Sequence, residues 1–203
     1  MTSLQHPDRD ATPSWRIAAE RDFARIIEMN ERLNLEDPSE STSLDRAMMQ
    51  RTLTEIATNP IRGAVAVLAS GSHLCGYALL ISFWSNEFGG EVCVIDELYV
   101  EPEFRGRGFA TELVQSLVRG ASPIWPRRTV RISIEAYRSN PRAKALYEKL
   151  GFAVSPHHVL TLALPSSAVE WNAAPVARVP PPEAERLSLA YAPAAPPVVI
   201  IAR

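Results

Sequence analysis

Apolar residues recur at two periods along this chain. Phe23, Ile26, Ile27 and Leu33 fall at helical spacing with charges between them, which predicts an amphipathic helix. Leu44, Met48, Leu53 and Ile56 supply the stripe of a second helix. It is expected to start near Thr42, where Thr42 and Asp45 have the spacing of a capping box. A short strand, "WRIA" (residues 15–18), precedes the first helix. Three β-rich runs follow, "AVAVLAS", "LCGYALLISFW" and "VCVIDELYV", separated by the polar turns "SGSH" and "SNEFGGE". They read as antiparallel hairpins.

The second half alternates elements. "ATELVQSLVRGA" places Ala110, Leu113, Val114, Leu117, Val118 and Ala121 on one helical face. "TVRISIEAY" alternates Val130, Ile132, Ile134 and Ala136 with polar residues and predicts a strand. "NPRAKALYEKLGF" is a helix with legible ends: Asn140 as N-cap, Pro141 at the first helical position, Gly151 as the left-handed stop. "HVLTLAL" (residues 158–164) is expected to close the core as a strand. The order of elements gives a mixed α/β (α+β) single domain. An N-terminal strand and two helices lead into an antiparallel meander, then strand–helix–strand–helix–strand. The domain is placed at residues 15–164, with residues 1–14 a disordered leader and 165–203 a proline-rich C-terminal tail. Eight of the seventeen prolines lie in that tail, a density that forbids regular helix. Its terminal "VVIIA" is apolar enough to pair as an edge strand or dock in a groove, and a homodimer through this segment is the assembly it suggests.

Composition narrows the function classes. A chain of 203 residues with a net charge of −2 lacks the basic excess of a nucleic-acid binder, so any anion site must be local. No apolar run approaches the ~20 residues of a membrane span, and the N-terminus has no secretory h-region. Cys75 and Cys93 sit inside apolar runs and read as buried thiols of a reducing compartment. The protein is expected to be soluble and cytoplasmic. His73, Cys75 and Cys93 have a weak metal-like spacing, but ordinary turn and core positions account for them, so no metal is expected. His157 and His158, in the turn before the last expected strand, are left without a role.

One corner carries chemistry. In "YVEPEFRGRGFATEL" (residues 99–113) two arginines and two glycines fall within four residues, between a strand and a helix. The first N–H groups of a helix have no internal partner and carry the positive end of its dipole. Gly106 and Gly108 let an anion approach them, and Arg105 and Arg107 add charge that contacts or steers it. A P-loop would need Gly-Lys-Ser/Thr, which is absent, and a dinucleotide fingerprint would need Gly or Ala where Thr111 stands.

"RGRGFA" matches Arg/Gln-x-x-Gly-x-Gly/Ala through Arg105, Gly108 and Ala110; it follows "LYV" and precedes, after one strand, "NPRAKALYEKLGF". This combination resembles the GCN5-related N-acetyltransferase (GNAT) superfamily, which transfers an acyl group from acetyl-CoA to an amine. The resemblance implies a sheet whose central strands splay apart. It implies that Leu98, Tyr99 and Val100 pair through their backbone with the pantetheine arm. The loop of Arg105, Gly106, Arg107, Gly108, Phe109 and Ala110, reaching Thr111, would hold the CoA pyrophosphate. Asn140 would touch the cofactor, and Tyr147 would both touch it and protonate the departing thiolate.

The acceptor amine must lose a proton before attacking. With a reference pKa near ~10.4, holding it neutral at pH 7 costs roughly 4–5 kcal/mol, which a nearby carboxylate lowers. Asp96 and Glu97 stand where several family members carry such a group. Simple alternation pairs Asp96 with Val94 and Leu98, and Glu97 with Ile95 and Tyr99, unless a bulge intervenes. Asp96 is the preferred base or amine anchor and Glu97 the alternative. With Glu87 and Glu91 they cluster four carboxylates near one end of the sheet, a field for a cationic amine such as a polyamine, an aminoglycoside or a protein lysine or N-terminus. Trp84 and Phe88 either line that acceptor site or pack in the core. The expected reaction is direct attack in a ternary complex with acetyl-CoA as co-substrate. The partner is a small-molecule or peptide amine, not nucleic acid or membrane. The competing reading is a non-catalytic CoA-binding sensor with the same fold.

Overall fold

The computed structural model describes residues 12–36, 46–120, 122–136 and 140–156, together with the backbone of 198–202. A short first strand, β1 (Ser14–Ile17), leads into α1 (Phe23–Glu36) and α2 (Arg46–Thr58). The meander is β2 (Gly63–Ser70), β3 (His73–Ser85) and β4 (Gly90–Val100). Then come α3 (Phe109–Arg119), β5 (Thr129–Ala136), α4 (Pro141–Lys149), β6 (Phe152–Val154) and β7 (Val198–Ala202). One seven-stranded sheet has the order β1-β2-β3-β4-β5-β7-β6. Pairing is antiparallel from β1 to β4 and parallel from β4 to β6.

Period-2 alternation on β2 to β5 gives the sheet two apolar faces. On one, Phe23, Ile26, Ile27 and Met29 of α1 and Met49, Leu53 and Ile56 of α2 pack on Val65, Val67, Tyr77, Leu79 and Tyr99. On the other, Leu113, Val114 and Leu117 of α3 and Tyr147 of α4 pack on Leu80, Cys93, Ile95, Ile132 and Ile134. Fully burying a leucine such as Leu113 or Leu117 contributes ~2 kcal/mol, so these layers hold the helices that frame the site.

Four expectations are corrected. In α2, Met49 is buried and Met48 is 42% exposed, because the true stripe runs Met49, Leu53, Ile56. In α3, Val118 is exposed; it lies about 100° around the helix from Leu117, past the rim of the buried face. Trp84 is 69% exposed and Phe88 sits on the open β3–β4 turn, so neither is core. The terminal "VVIIA" is an interior strand between β5 and β6, and the edge is the short β6, which was not anticipated as a separate strand. The expected capping box at Thr42 and the expected strand at residues 158–164 lie outside the described residues.

Candidate active site

The corner between β4 and α3 is built by local backbone rules. Glu101 to Phe104 turn through a 3-10 segment, Pro102–Phe104, and Gly106 and Gly108 take φ of 78° and 88°, the left-handed region that glycine enters without strain. Gly108 is the N-cap of α3 and offers no side chain to its amides. A Cβ placed on Gly106 or Gly108 would meet nothing within 4 Å, so the space above both is open. Trp15 anchors the start of the helix, its indole N–H donating to the Phe109 carbonyl at 2.9 Å. Phe109 is buried, while Ala110 and Thr111 are half-buried in the first turn. The result is a fixed helix start with open, uncapped amides: it fits a pyrophosphate.

The two arginines are held differently from a simple anion clamp. The half-buried Arg105 donates to the Val100 carbonyl at 2.7 Å, pairs with Glu36 at the end of α1, and stacks over Tyr99. Arg107 is exposed, donates to the Glu103 carbonyl at 2.9 Å and lies over the Phe104 ring. Arg105 thus shapes the loop, and Arg107 keeps its charge at the surface beside the glycines.

β4 pairs with β3 along its length apart from one bulge, but only partly with β5. Its parallel register with β5 runs from Glu91 to Ile95 and stops there. Leu98, Tyr99 and Val100 therefore have a registered partner only on the β3 side among the described residues. Leu98 packs toward the α3–α4 face, while Tyr99 is buried on the α1–α2 face.

The bulge anticipated as an alternative is present. Leu79 pairs with Glu97 and Leu80 with Ile95, leaving Asp96 as the extra residue. Asp96 is exposed, and Glu97 turns under α1. There the Tyr77 hydroxyl donates to one Glu97 oxygen at 2.8 Å and the Asn30 amide to the other at 3.0 Å. Burial pushes the Glu97 carboxyl up to about 7, and the charge of Asp96 adds to the rise; the bonds from Tyr77 and Asn30 oppose it. Glu91 is hydrogen-bonded to Ser82 and Glu87 is exposed on the turn. Arg131 lies over the Phe88 ring at 4.0 Å, so that end of the sheet is not purely acidic.

On the opposite face, Asn140 caps α4 by accepting from the Ala143 N–H at 3.0 Å. Tyr147 is buried against Phe152 in the cluster that includes Ile95 and Ile134. Glu97 and Tyr147 thus stand on opposite faces of the sheet, near the place where β4 and β5 part. Cys75 and Cys93 are free and buried in separate clusters, and burial pushes the Cys93 thiol up to about 12. Among the described residues no group of three His, Cys, Asp or Glu side chains could hold a metal ion.

Sequence reasoning missed Asn30, Tyr77 and the buried Glu101, which Arg25, Arg32 and Tyr99 hold at 2.6, 2.8 and 3.2 Å. A signal for Asn30 existed: it falls on the apolar stripe of α1, between Ile27 and Leu33, where an amide needs a partner.

A parted mixed sheet beside an uncapped, glycine-flanked helix start is the arrangement that the family resemblance implies. The model of the acetyltransferase (GNAT) family matches residues 27–152, and the chain belongs to that family. Solved structures share the fold. A possible acetyltransferase from Clostridium difficile 630 is 20% identical with a TM-score of 0.64, over 75% of this chain and 98% of that one. A predicted acetyltransferase with acetyl-CoA from Clostridium acetobutylicum is 17% identical with a TM-score of 0.60, over 74% and 96%. An aminoglycoside acetyltransferase from an uncultured soil metagenomic sample, in complex with sisomicin, is 12% identical with a TM-score of 0.54, over 76% and 96%. No curated protein matches the sequence.

Proposed function

We propose that this chain is an acetyl-CoA-dependent N-acetyltransferase acting on a primary amine by direct attack in a ternary complex. The observation that carries the reading is the meeting of three features along β4 and the loop after it: the open cradle over Gly106 and Gly108, the edge of β4 that no described strand pairs beyond Ile95, and the Glu97 carboxylate at the adjoining bulge. Acetyl-CoA, when bound, supplies a thioester activated toward amines.

The chain's own groups do the rest. Backbone amides from Arg105 to Thr111 hold the pyrophosphate, and the edge of Leu98 to Val100 aligns the pantetheine arm as an added strand. Glu97 accepts the proton of the acceptor ammonium, directly or through one water. Its raised proton affinity suits that task, because a base poised near 7 is ionised in a good share of molecules at neutral pH and still avid for a proton. Asp96, exposed on the same bulge, attracts the cationic amine and is the weaker candidate for base. Tyr147 gives its proton to the leaving thiolate from the α3–α4 face, and Asn140 fixes the start of the helix that carries it.

The catalytic domain comprises residues 15–164 together with the returning strand β7, which the proline-rich stretch joins to it in sequence. Free, buried Cys75 and Cys93 fit a reducing compartment, the cytoplasm. Isothermal titration with CoA tests the reading first: no heat at millimolar CoA would falsify it. CoA binding without acetyl transfer to polyamine, aminoglycoside or lysine-peptide acceptors would instead favour a sensor.

A further inference from the structure

Both oxygens of Glu97 are met by neutral groups buried between α1 and the sheet. The Tyr77 hydroxyl donates to Oε2 at 2.8 Å, and the Asn30 amide donates to Oε1 at 3.0 Å. The same Asn30 nitrogen lies 3.2 Å from the Tyr77 hydroxyl, and the Asn34 side-chain amide donates to Oδ1 of Asn30 at 3.2 Å. Tyr77 and Asn30 are 0% and 2% exposed, in a layer otherwise made of Ile26, Ile27, Met29, Val67 and Leu79. Phenylalanine and leucine would fill the same volumes without the cost of burying a hydroxyl and an amide. Among the described residues, Glu97 is the one charged group that both polar atoms contact.

We propose that Tyr77 and Asn30 are positioning residues: they hold the Glu97 carboxylate in a single orientation at the bulge and keep it ionisable there. This rests on the reading of Glu97 as the catalytic base. Two influences disfavour the ionised form, burial and the neighbouring Asp96 charge, and the two hydrogen bonds oppose them. From α1 the facing group is the neutral Asn30; Arg25 and Arg32 of that helix are engaged by Glu101. From β3 the facing group is Tyr77, itself pushed to higher pKa by burial and by Glu97, so it stays a donor. From β4 they are Asp96 and the Tyr99 ring, 6.2 Å from Tyr77. Removing either donor leaves the carboxylate less stabilised, so its pKa rises.

The test is a carbon-13 NMR titration of side-chain carboxyls in the full chain, with Glu97→Gln identifying the Glu97 signal. Tyr77→Phe and Asn30→Ala are each expected to move the Glu97 midpoint up by about one pH unit. Acetyl transfer from acetyl-CoA to spermine, sisomicin or a lysine peptide, whichever is used fastest, is expected to show the same shift in its acid limb. The rate lost at pH 7 returns at high pH, while the KM for acetyl-CoA stays put. Midpoints unmoved in both folded variants, or a rate loss that does not depend on pH, overturn the proposal. Tyr77→Phe keeps shape and packing; should it fail to fold, Asn30→Ala addresses the other oxygen and decides alone. A Glu97→Gln protein with full activity would sink the base assignment, a result separate from the NMR midpoints.

Discussion

The Arg105 guanidinium lies 2.8 Å from the Glu36 carboxylate, joining the anion loop to the last residue of α1. A residue that sequence spacing assigns to the anion is thereby engaged by the protein itself. Replacing it should loosen the loop more than it removes a direct contact. Arg105→Ala is expected to weaken CoA by severalfold with little dependence on salt. The surface pair itself contributes under about 1 kcal/mol, so thermal stability should change little. Calorimetry at two ionic strengths checks this.

Arg107 should behave in the opposite way. It is exposed beside Gly106 and Gly108, so Arg107→Glu places a like charge next to the pyrophosphate. CoA affinity should fall by about tenfold or more at low salt and recover partly as salt screens the repulsion. Equal losses at low and high salt would argue that Arg107 acts through shape alone.

Glu97 ties activity to stability through one proton. Its folded-state pKa, about 7, lies above the unfolded value of 4.5, so the folded chain binds the extra proton between those limits. Stability from this group is complete below about pH 4.5 and is lost as pH rises through about 7, by on the order of 3 kcal/mol. Activity runs the other way, rising as the carboxylate ionises. Glu97→Gln should retain CoA binding, lose about 10²-fold or more in turnover, and flatten the fall in melting temperature between pH 5 and 8. Calorimetric scans across that range, beside pH–rate profiles, measure both.

Tyr147→Phe keeps the packing on Phe152 and removes only the hydroxyl. Turnover should drop by about 10²-fold while CoA affinity holds, as expected for a general acid. Unchanged turnover would remove Tyr147 from the chemistry.

Glu101 offers a prediction that starts from folding. Its side chain is 2% exposed and bound by Arg25 and Arg32, which pins α1 to the end of β4. Glu101→Ala should cost about 2–4 kcal/mol in urea unfolding. The pinned helix carries Asn30 and Glu36, so turnover should fall as well.

Features set by neighbours in sequence were legible in advance. Asn140, Pro141 and Gly151 bracket α4 as their conformational preferences require, and the hairpins of β2 to β4 follow from alternation broken by turn residues. Choices that depend on a distant partner were not. Which of Asp96 and Glu97 turns under α1 is decided by the bulge opposite Leu79 and Leu80, and no local pattern places it. The occupant of the gap between β5 and β6 is a segment more than forty residues beyond β6, and sequence adjacency favoured residues 158–164. Met48 and Met49 are equally apolar, so a step of one residue in helical phase separates core from solvent.

The early end of the β4–β5 register has a consequence for exchange with solvent. Amides of β4 up to Ile95 have strands on both sides, whereas beyond it alternate peptide groups face the gap, with β3 on the other side as the one partner strand among the described residues. In deuterated buffer this second half should label quickly and the first half slowly. A donor lying along the gap would slow it, so the strand becomes a built-in reporter of occupancy that needs neither an acceptor nor a turnover.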